Sequence, residues 1–247
     1  MKTISQRIDT FTKLGKLFSD ISRQNKDSVY KKWVTIFDKK IKEAYQYNNW
    51  FTKENCLLSF KNWSKELTTI KLSKWIDNYN LKDCSNNTIA IIMAGNIPLV
   101  GFHDLLTVLI SGHKVVVKMS SADNVLLKVI IEKLISVAPE FKESIAFIDD
   151  VKNRKFDAVI ATGSDNSAQY FEYYFKGAKK IIRKNRRSVA ILDGSESAME
   201  LKGLADDVFS YFGLGCRNVS KLFLPKGYDL NKLFKAFYPF NKIVEHK

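Results

Sequence analysis

Hydrophobic positions divide the chain into a helical first third and an alternating remainder. Between residues 3 and 80, apolar side chains recur three and four positions apart. Examples are Ile8, Phe11, Leu14, Leu17 and Phe18, followed by Trp33, Ile36, Phe37, Ile41 and Ala44. This spacing places apolar groups on one face of a helix, so the region is predicted to be helical. Thr52 is a suitable N-cap for a further helix, with Leu57, Phe60 and Trp63 on its apolar face.

After a polar stretch at residues 83–87, short apolar runs alternate with helical patterns. Strands are predicted at 88–93, 114–118, 145–148, 158–161 and 189–192, and helices at 101–112, 124–137 and 165–174. A helix at about 197–212, a short strand at 222–225 and a helix at 229–237 follow. Strands that alternate with helices of this length predict an α/β fold, with a doubly wound parallel sheet.

The predicted sheet has a polar edge. Ligands of such sheets bind beyond the carboxyl ends of the strands. The loops expected there, 94–98, 118–122 and 162–166, are rich in Gly, Ser, Thr or Asn, which supply donors for phosphate or ribose. The sequence contains neither GxGxxG nor GxxxxGK[ST], so a dinucleotide would bind without the usual fingerprint.

Composition limits the function classes. A hydrophobic fraction of 45% in 247 residues provides a substantial core. No run of about 18 apolar residues exists, so no membrane span is predicted, and the start lacks the apolar segment of a secretory signal. The three cysteines, Cys56, Cys84 and Cys216, form no CxxC pair, which favours a reducing cytoplasm.

Cys216 is the candidate nucleophile. It lies in the glycine-flanked segment GLGCRN, and the neighbouring Arg217 favours the thiolate, which is the nucleophilic form. A small buried residue at a helix end is the simpler alternative. His103 and His113 are ten positions apart on one predicted helix, a poor metal spacing, so no metal site is assigned. His103 could also donate a proton to the substrate oxygen, but we do not favour this interpretation.

Four motifs occur in a characteristic order. They are MAGNIPLVGFHD at 93–104, a strand ending at Lys118, the turn Thr162-Gly163-Ser164, and GLGCRNVS at 213–220. Over roughly residues 85–228 the chain resembles the LuxC-type fatty-acyl reductases, which are acyl-CoA reductases of the aldehyde dehydrogenase superfamily. The ordered set carries the resemblance, because each motif alone is weak.

The resemblance implies a role for individual residues. Cys216 matches the nucleophile that takes the acyl group as a thioester, and Asn96 matches the side-chain amide that donates to the oxyanion. Lys118 matches the lysine that reaches the adenosine ribose, and Gly163 and Ser164 match the turn along the pyrophosphate. From the residues alone, Asn96 could equally hold a turn, Lys118 could lie in solvent at a strand end, and the Thr162–Ser164 turn could cap the following helix.

The resemblance implies NADPH-dependent reduction of a long-chain acyl-CoA to a fatty aldehyde through a cysteine acyl-enzyme, with NADH as the alternative cofactor and no metal. Aldehyde-oxidising members carry a glutamate base shortly before the strand that begins here near Ser188, whereas residues 183–187 contain no carboxylate. That base activates water, which a reductase does not need. The competing hypothesis is a non-catalytic or truncated α/β module that binds CoA, acyl groups or nucleic acid.

Three regions are expected: a helical N-terminal region at 1–84, a Rossmann-like cofactor-binding domain at 85–193, and the start of a second α/β catalytic lobe at 194–247. Because the family's chain continues beyond this point, the lobe is expected to be truncated. Expected partners are the acyl-thioester substrate and other protein subunits, acyl-transferring ones included, with a homo-oligomer as a further option.

The formal net charge of +14 is spread along the chain, apart from one basic cluster between Lys176 and Arg187. A solvated face is the commonest explanation of such a cluster. Contacts to the phosphates of CoA or NADPH are the second explanation. Nucleic acid is the third, and it is not favoured, because the neighbouring aromatic residues have helical spacing.

Overall fold

The computed structural model describes residues 3–81, 86–151 and 154–246. Cys84 and the domain boundary predicted at residue 84 lie outside the described residues. The chain divides into two compact units, Met1–Lys184 and Asn185–Lys247. The three functional regions expected from the sequence remain a prediction. None of the described helices is long and apolar enough to cross a membrane.

Four helices open the first unit, as the sequence predicts. They are α1 (Ile4–Arg23), α2 (Lys31–Tyr47), α3 (Lys53–Glu66) and α4 (Thr69–Ile76). Thr52 caps α3, because its side chain accepts a hydrogen bond from Asn55 N. The apolar face of α1 is buried. Gly15 lets α1 lie close to the backbone of Leu67, since a Cβ at position 15 would lie 2.3 Å from Leu67 O.

A five-stranded parallel sheet follows, with strand order β3-β2-β1-β4-β5. The strands are β1 (Thr88–Ile92), β2 (Lys114–Lys118), β3 (Ile145–Phe147), β4 (Ala158–Thr162) and β5 (Lys179–Arg183). The intervening helices are α5 (Phe102–Ile110), α6 (Leu126–Val137) and α7 (Asp165–Tyr174). The order reverses direction between β1 and β4, which is where such sheets bind ligands.

The central strand shows why the sheet is covered on both faces. Ile89, Ile91 and Met93 lie in the same buried cluster as the apolar residues of α1 to α6. Ala90 and Ile92 belong to a second cluster, against which Phe171 of α7 packs. Successive strand residues point to opposite faces, so an uninterrupted apolar run is buried on both sides. The predicted doubly wound α/β fold is confirmed.

One strand of the sheet differs from the sequence interpretation. The fifth strand is β5, which lies inside the basic cluster that was read as a solvated or phosphate-binding segment. Its sequence, KKIIR, lacks an apolar run because it is an edge strand, with Ile181 56% exposed. Lysines at such an edge oppose pairing with other chains. Residues 189–192, read as a further strand after β4, belong instead to the second unit.

Part of the basic cluster has protein partners. Lys180 Nζ lies 3.1 Å from a carboxylate oxygen of Glu172. Arg183, at the carboxyl end of β5, donates from one guanidinium nitrogen to both carboxylate oxygens of Asp104, each at 2.6 Å. Burial alone would raise the pKa of Asp104, but the contacts with His103 and Arg183 more than offset it and hold the pKa below its usual range. These cations therefore stabilise the fold.

We expect Arg183→Met to lower the free energy of unfolding by about 2 kcal/mol, because it leaves the buried Asp104 carboxylate with His103 alone. Since the folded-state pKa of Asp104 is depressed, the advantage of the wild type is present above about pH 4 and is lost as pH falls below it. Urea unfolding of both proteins between about pH 3 and about pH 7 measures this. A constant difference across that range would contradict it.

The second unit is a βαβ unit with added helices. Strands β6 (Ser188–Ile191) and β7 (Val219–Phe223) pair in parallel, connected through α8 (Ala198–Phe209) and a 3-10 helix (Ser210–Gly213). Helix α9 (Leu230–Phe237) and a second 3-10 helix (Tyr238–Glu245) complete it. Its small core contains Leu192, Leu201 and Leu233. Cys216 lies in the segment between the 3-10 helix Ser210–Gly213 and β7.

Candidate functional site

A cleft of about 600 Å³ lies at the carboxyl ends of β1 to β4, within the first unit. This volume is in the range of small-molecule sites. Its lining includes Ala94, Lys118, Phe147 and Gly163. The cleft therefore occupies the edge that the three polar loops were predicted to form.

The charges of the cleft are two cations and one carboxylate. Lys118 is the last residue of β2, and Lys128 comes from the first turns of α6. Asp149 follows β3, and the hydroxyl-bearing residues Ser120 and Ser121 follow β2. Two ammonium groups and nearby hydroxyls suit a phosphorylated ligand, whereas a carboxylate suits ribose hydroxyls. The cleft thus has donors and acceptors for both parts of a nucleotide.

The residues of the turn after β4 lie in different environments. Gly163 lines the cleft, and a Cβ there would lie 2.9 Å from Cβ of Ser167. Ser164 is exposed and caps α7, because its hydroxyl accepts a hydrogen bond from Ser167 N at 3.2 Å. Among the described residues, the lining includes Ser167 but not Ser164. The capping interpretation of Ser164 is confirmed, and its cofactor contact stays a prediction.

The lining of the cleft is compatible with a dinucleotide. Gly163 lets the end of β4 pack closely against α7, because a Cβ there would lie 2.9 Å from Cβ of Ser167. The apolar residues Met93, Phe147 and Ile148 line the same cleft as the two lysines. Lys118, Lys128 and the turn at Gly163 are the groups that would hold such a cofactor.

Asn96 lies in the segment that connects β1 to α5, and its side chain is exposed. Three side chains fix this segment. Asn48 donates to Gly95 O at 3.4 Å, Ser59 donates to Pro98 O at 3.0 Å, and Asp123 accepts from Leu99 N at 3.0 Å. We call residues 94–99 the Asn96 loop.

The Asn96 loop ends in an unusual backbone conformation. Leu99 has a φ of 62°, which lies in the left-handed region, and the residue is buried, with only 1% of its surface exposed. The left-handed region costs a non-glycine residue about 1–2 kcal/mol. Asn48 also donates to Ala122 O at 3.3 Å, so it joins the Asn96 loop to the segment after β2. Packing and hydrogen bonds therefore hold the loop in a shape that the local sequence does not favour.

Cys216 lies in a turn that Asn218 organises. The Asn218 side-chain oxygen accepts from Gly215 N at 2.8 Å, and its amide donates to Asp207 O at 2.8 Å and to Ser210 O at 3.0 Å. Asn218 N also donates to Gly215 O at 2.9 Å. The turn is thereby attached to the carboxyl end of α8, which limits the positions that the thiol can take.

The two described cysteines have opposite environments. Cys216 is exposed, whereas Cys56 on α3 is fully buried. Burial, followed by the negative charges of Asp123 and Glu54, raises the pKa of the Cys56 thiol. Since the thiolate is the nucleophile, Cys56 is unreactive in the folded protein. The exposure of Cys216 argues against its alternative as a small buried residue.

The two histidines of the first unit do not form a pair. His103 lies at the start of α5 with Nδ1 3.4 Å from Asp104 Oδ1, and its ring centre is 6.4 Å from that of Trp63 and 6.2 Å from that of Trp75. His113 follows α5, and its Nδ1 is buried. No group of three or more His, Cys, Asp or Glu that could hold a metal occurs within the described parts of the chain.

Sequence reasoning did not assign four of these residues. Lys128 and Asp149 reach the cleft only because α6 and β3 are placed beside β2. Asn218 was part of a quoted motif, but two of its three side-chain hydrogen bonds depend on the end of α8. Asp123 was not considered, and its burial is what distinguishes it.

The profile of the acyl-CoA reductase (LuxC) family matches residues 16–233, most of the chain. The chain belongs to this family. The match begins within α1 and includes the cleft, the Asn96 loop and the turn that carries Cys216. A comparison with curated proteins finds no match.

Solved structures agree with the fold. Aldehyde dehydrogenase C from Pseudomonas syringae, solved with NAD+ and octanal, is similar at 10% identity and a TM-score of 0.67, over 96% of this chain and 49% of that one. Propionaldehyde dehydrogenase from Clostridium phytofermentans gives 8% identity and a TM-score of 0.65, over 96% of this chain and 55% of that one. The chain thus spans about half the length of these relatives. The predicted aldehyde dehydrogenase-like fold is confirmed.

Proposed function

We propose that this chain takes part in the NADPH-dependent reduction of a long-chain acyl-CoA to a fatty aldehyde, through an acyl-enzyme on Cys216. The observation that carries the proposal is that one family match covers both the nucleotide-sized cleft and an exposed cysteine. The roles below belong to the proposal.

Acyl transfer would be the first half of the reaction. The Cys216 thiolate attacks the carbonyl carbon of the acyl thioester, and the carbonyl electrons move to oxygen. The Asn96 amide donates a hydrogen bond to that oxyanion. When the oxyanion collapses, the CoA thiolate leaves and the acyl group remains on the Cys216 sulfur. The hydrogen bonds of Asn218 support this step, because they restrict the segment that holds the nucleophile.

Reduction would complete the reaction. Bound NADPH supplies a hydride to the acyl carbon. The resulting thiohemiacetal oxyanion collapses, the carbon–sulfur bond breaks, and the aldehyde leaves with Cys216 as thiolate. No water is needed, which agrees with the absence of a carboxylate from residues 183–187.

The charges of the cleft favour NADPH over NADH. Lys118 and Lys128 provide two cations for the additional ribose phosphate, whereas Asp149 is a single carboxylate. Ser120 and Ser121 add hydroxyl donors next to Lys118. A carboxylate that accepts from both ribose hydroxyls would favour NADH, and Asp149 is the group that could do so.

We expect Lys118→Met to weaken NADPH binding by about tenfold or more, because it removes a charge-assisted hydrogen bond to phosphate. NADH binding should change less. Fluorescence titration of the reduced nicotinamide measures both affinities. Lys179→Met is the matched control, since Lys179 is an exposed lysine at the amino end of β5, the edge opposite the cleft. Equal losses for NADPH and NADH would contradict a phosphate contact.

The test of the proposed function is mass spectrometry of the intact protein. The protein is mixed with a long-chain acyl-CoA and then with NADPH, and the site of any adduct is mapped by peptide analysis. An acyl adduct on Cys216 that disappears as aldehyde forms is the expected result. An adduct that persists with NADPH would place hydride transfer beyond this stretch of chain. No adduct would reject the enzymatic proposal.

The alternative is a binding module for CoA or acyl groups without chemistry. The chain spans about half the length of its solved relatives, which is what favours this alternative. Equilibrium binding of acyl-CoA without modification of Cys216 would support it. Salt-dependent retention of DNA would instead favour a nucleic-acid binder.

The proposal also includes a cytoplasmic location, self-association and association with acyl-transferring subunits.

A further inference from the structure

Asp123 is a buried carboxylate that contacts the Asn96 loop, and none of the proposed steps uses it. The residue is 8% exposed, at the end of the segment that connects β2 to α6. Its Oδ2 accepts the hydrogen bond from Leu99 N at 3.0 Å. Its Oδ1 is buried and has no hydrogen-bond partner among the described residues. A buried carboxylate with one open oxygen is costly when it is charged.

We propose that Asp123 is a positioning residue, which holds the Asn96 loop in its working shape through the hydrogen bond with Leu99 N. Leu99 is three residues after Asn96 and has the left-handed φ of 62°. Without an acceptor for its N–H, this conformation would lose the hydrogen bond at its strained residue, and the loop would shift Asn96. The inference rests on the proposed function, since the role of Asn96 as oxyanion donor does.

The surroundings of Asp123 are neutral. The Asn96 loop (AGNIPL) and the residues before Asp123 (MSSA) carry no ionisable side chain. Asn48, which bridges these two segments, is also neutral. On α3, the group that interacts electrostatically with Asp123 is the buried Cys56, whose thiol pKa is raised, so it stays uncharged near neutral pH. Gly95 packs tightly here, because a Cβ would lie 2.4 Å from Ser120 Oγ.

The protonation of Asp123 therefore controls how firmly the loop is held. Burial raises the pKa of Asp123 to about 7, and the hydrogen bond from Leu99 N offsets this in part. The neutral acid accepts from Leu99 N without an uncompensated charge. The charged form needs water at Oδ1, which can enter only when the segment opens. The loop is thus held most firmly below about pH 4, the usual pKa of a solvated Asp, and is held less firmly as pH rises from there towards about 7.

The first arm of the test measures the loop without any reaction. Hydrogen exchange of the Leu99 amide is compared between the wild type and Asp123→Asn, a variant that keeps an acceptor oxygen and cannot ionise. We expect the ratio of the two protection factors, wild type over variant, to fall about tenfold per pH unit as pH rises from about 5 to about 7 and to level off above about pH 7. A ratio that is constant with pH would overturn the inference.

Ser59→Ala is the matched control. It removes another hydrogen bond of the same loop, the one to Pro98 O, and introduces no change in ionisation. Its protection should be lower at every pH and should keep the same pH step, since Asp123 is intact. Loss of the step in this control would overturn the inference. Should Asp123→Asn not fold, the Asp123 carboxyl and the Leu99 amide are titrated together by NMR in the wild type, and different midpoints would overturn it.

The second arm measures acylation of Cys216 by a long-chain acyl-CoA across the same pH range. The ratio of rates, wild type over Asp123→Asn, cancels the titration of the cysteine and should fall in parallel with the protection ratio. A flat rate ratio beside a falling protection ratio would overturn the catalytic part of the inference. No acylation of the wild type at any pH would instead reject the proposed function. The first arm alone would then test whether Asp123 holds the Asn96 loop.

Discussion

Substitution of Cys216 by alanine should abolish the acyl adduct and lower the rate of aldehyde formation by about 10⁴-fold or more, as loss of a nucleophile does in other covalent enzymes. The side chain is exposed, so the substitution should leave the free energy of unfolding nearly unchanged. Stopped-flow mixing with acyl-CoA, followed by mass spectrometry of the quenched protein, measures adduct formation. Urea unfolding of the same sample checks the fold.

Cys56→Ser is the matched control for this prediction. The Cys56 thiol is fully buried and donates to Phe51 O at 3.5 Å, a contact that a serine hydroxyl can replace. Because the buried thiol has a raised pKa, it should take no part in acyl transfer. The control should therefore form the adduct at the wild-type rate. An adduct that survives in Cys216→Ala and is lost in Cys56→Ser would contradict the assignment of the nucleophile.

The sheet was predictable because burial leaves a simple pattern. The strand at 114–118 and the helix at 165–174 occur where the sequence places them, since both have well-defined turns at their ends. Strand β5 was missed because an edge strand needs no apolar run, and its lysines suggested a surface cluster. The spacing of apolar residues reflects burial, so it does not identify strands that remain partly exposed to solvent.

The candidate site was predictable only in part, for a different reason. Lys118 and Gly163 were expected to meet, because parallel strands end at a common edge, and both line the cleft. Lys128 and Asp149 join them through the placement of α6 and β3, which depends on packing over the whole unit. The environment of Asp123 is even less local, since it combines the Asn96 loop with α2 and α3. Sequence spacing carries no information about such burial.

Asn96 gives the second large effect. Asn96→Ala should lower the rate of Cys216 acylation by about 10²–10³-fold, the loss measured when one oxyanion donor is removed from another enzyme. Binding of acyl-CoA should change little, because the ground-state carbonyl needs the amide less than the oxyanion does. Single-turnover acylation and equilibrium binding separate the two quantities.

The matched control for Asn96 is a substitution that keeps the size of the side chain. Asn96→Asp removes the N–H donor and retains the volume, so it should be at least as slow as Asn96→Ala if the lost element is the donor. Ser59→Ala loosens the same loop without removing the amide and should cost much less. If Asn96→Asp acylates at the wild-type rate, Asn96 does not donate to the oxyanion. If all three variants are equally slow, the contribution of Asn96 is to the shape of the loop, and the Asn96 amide is not the oxyanion donor.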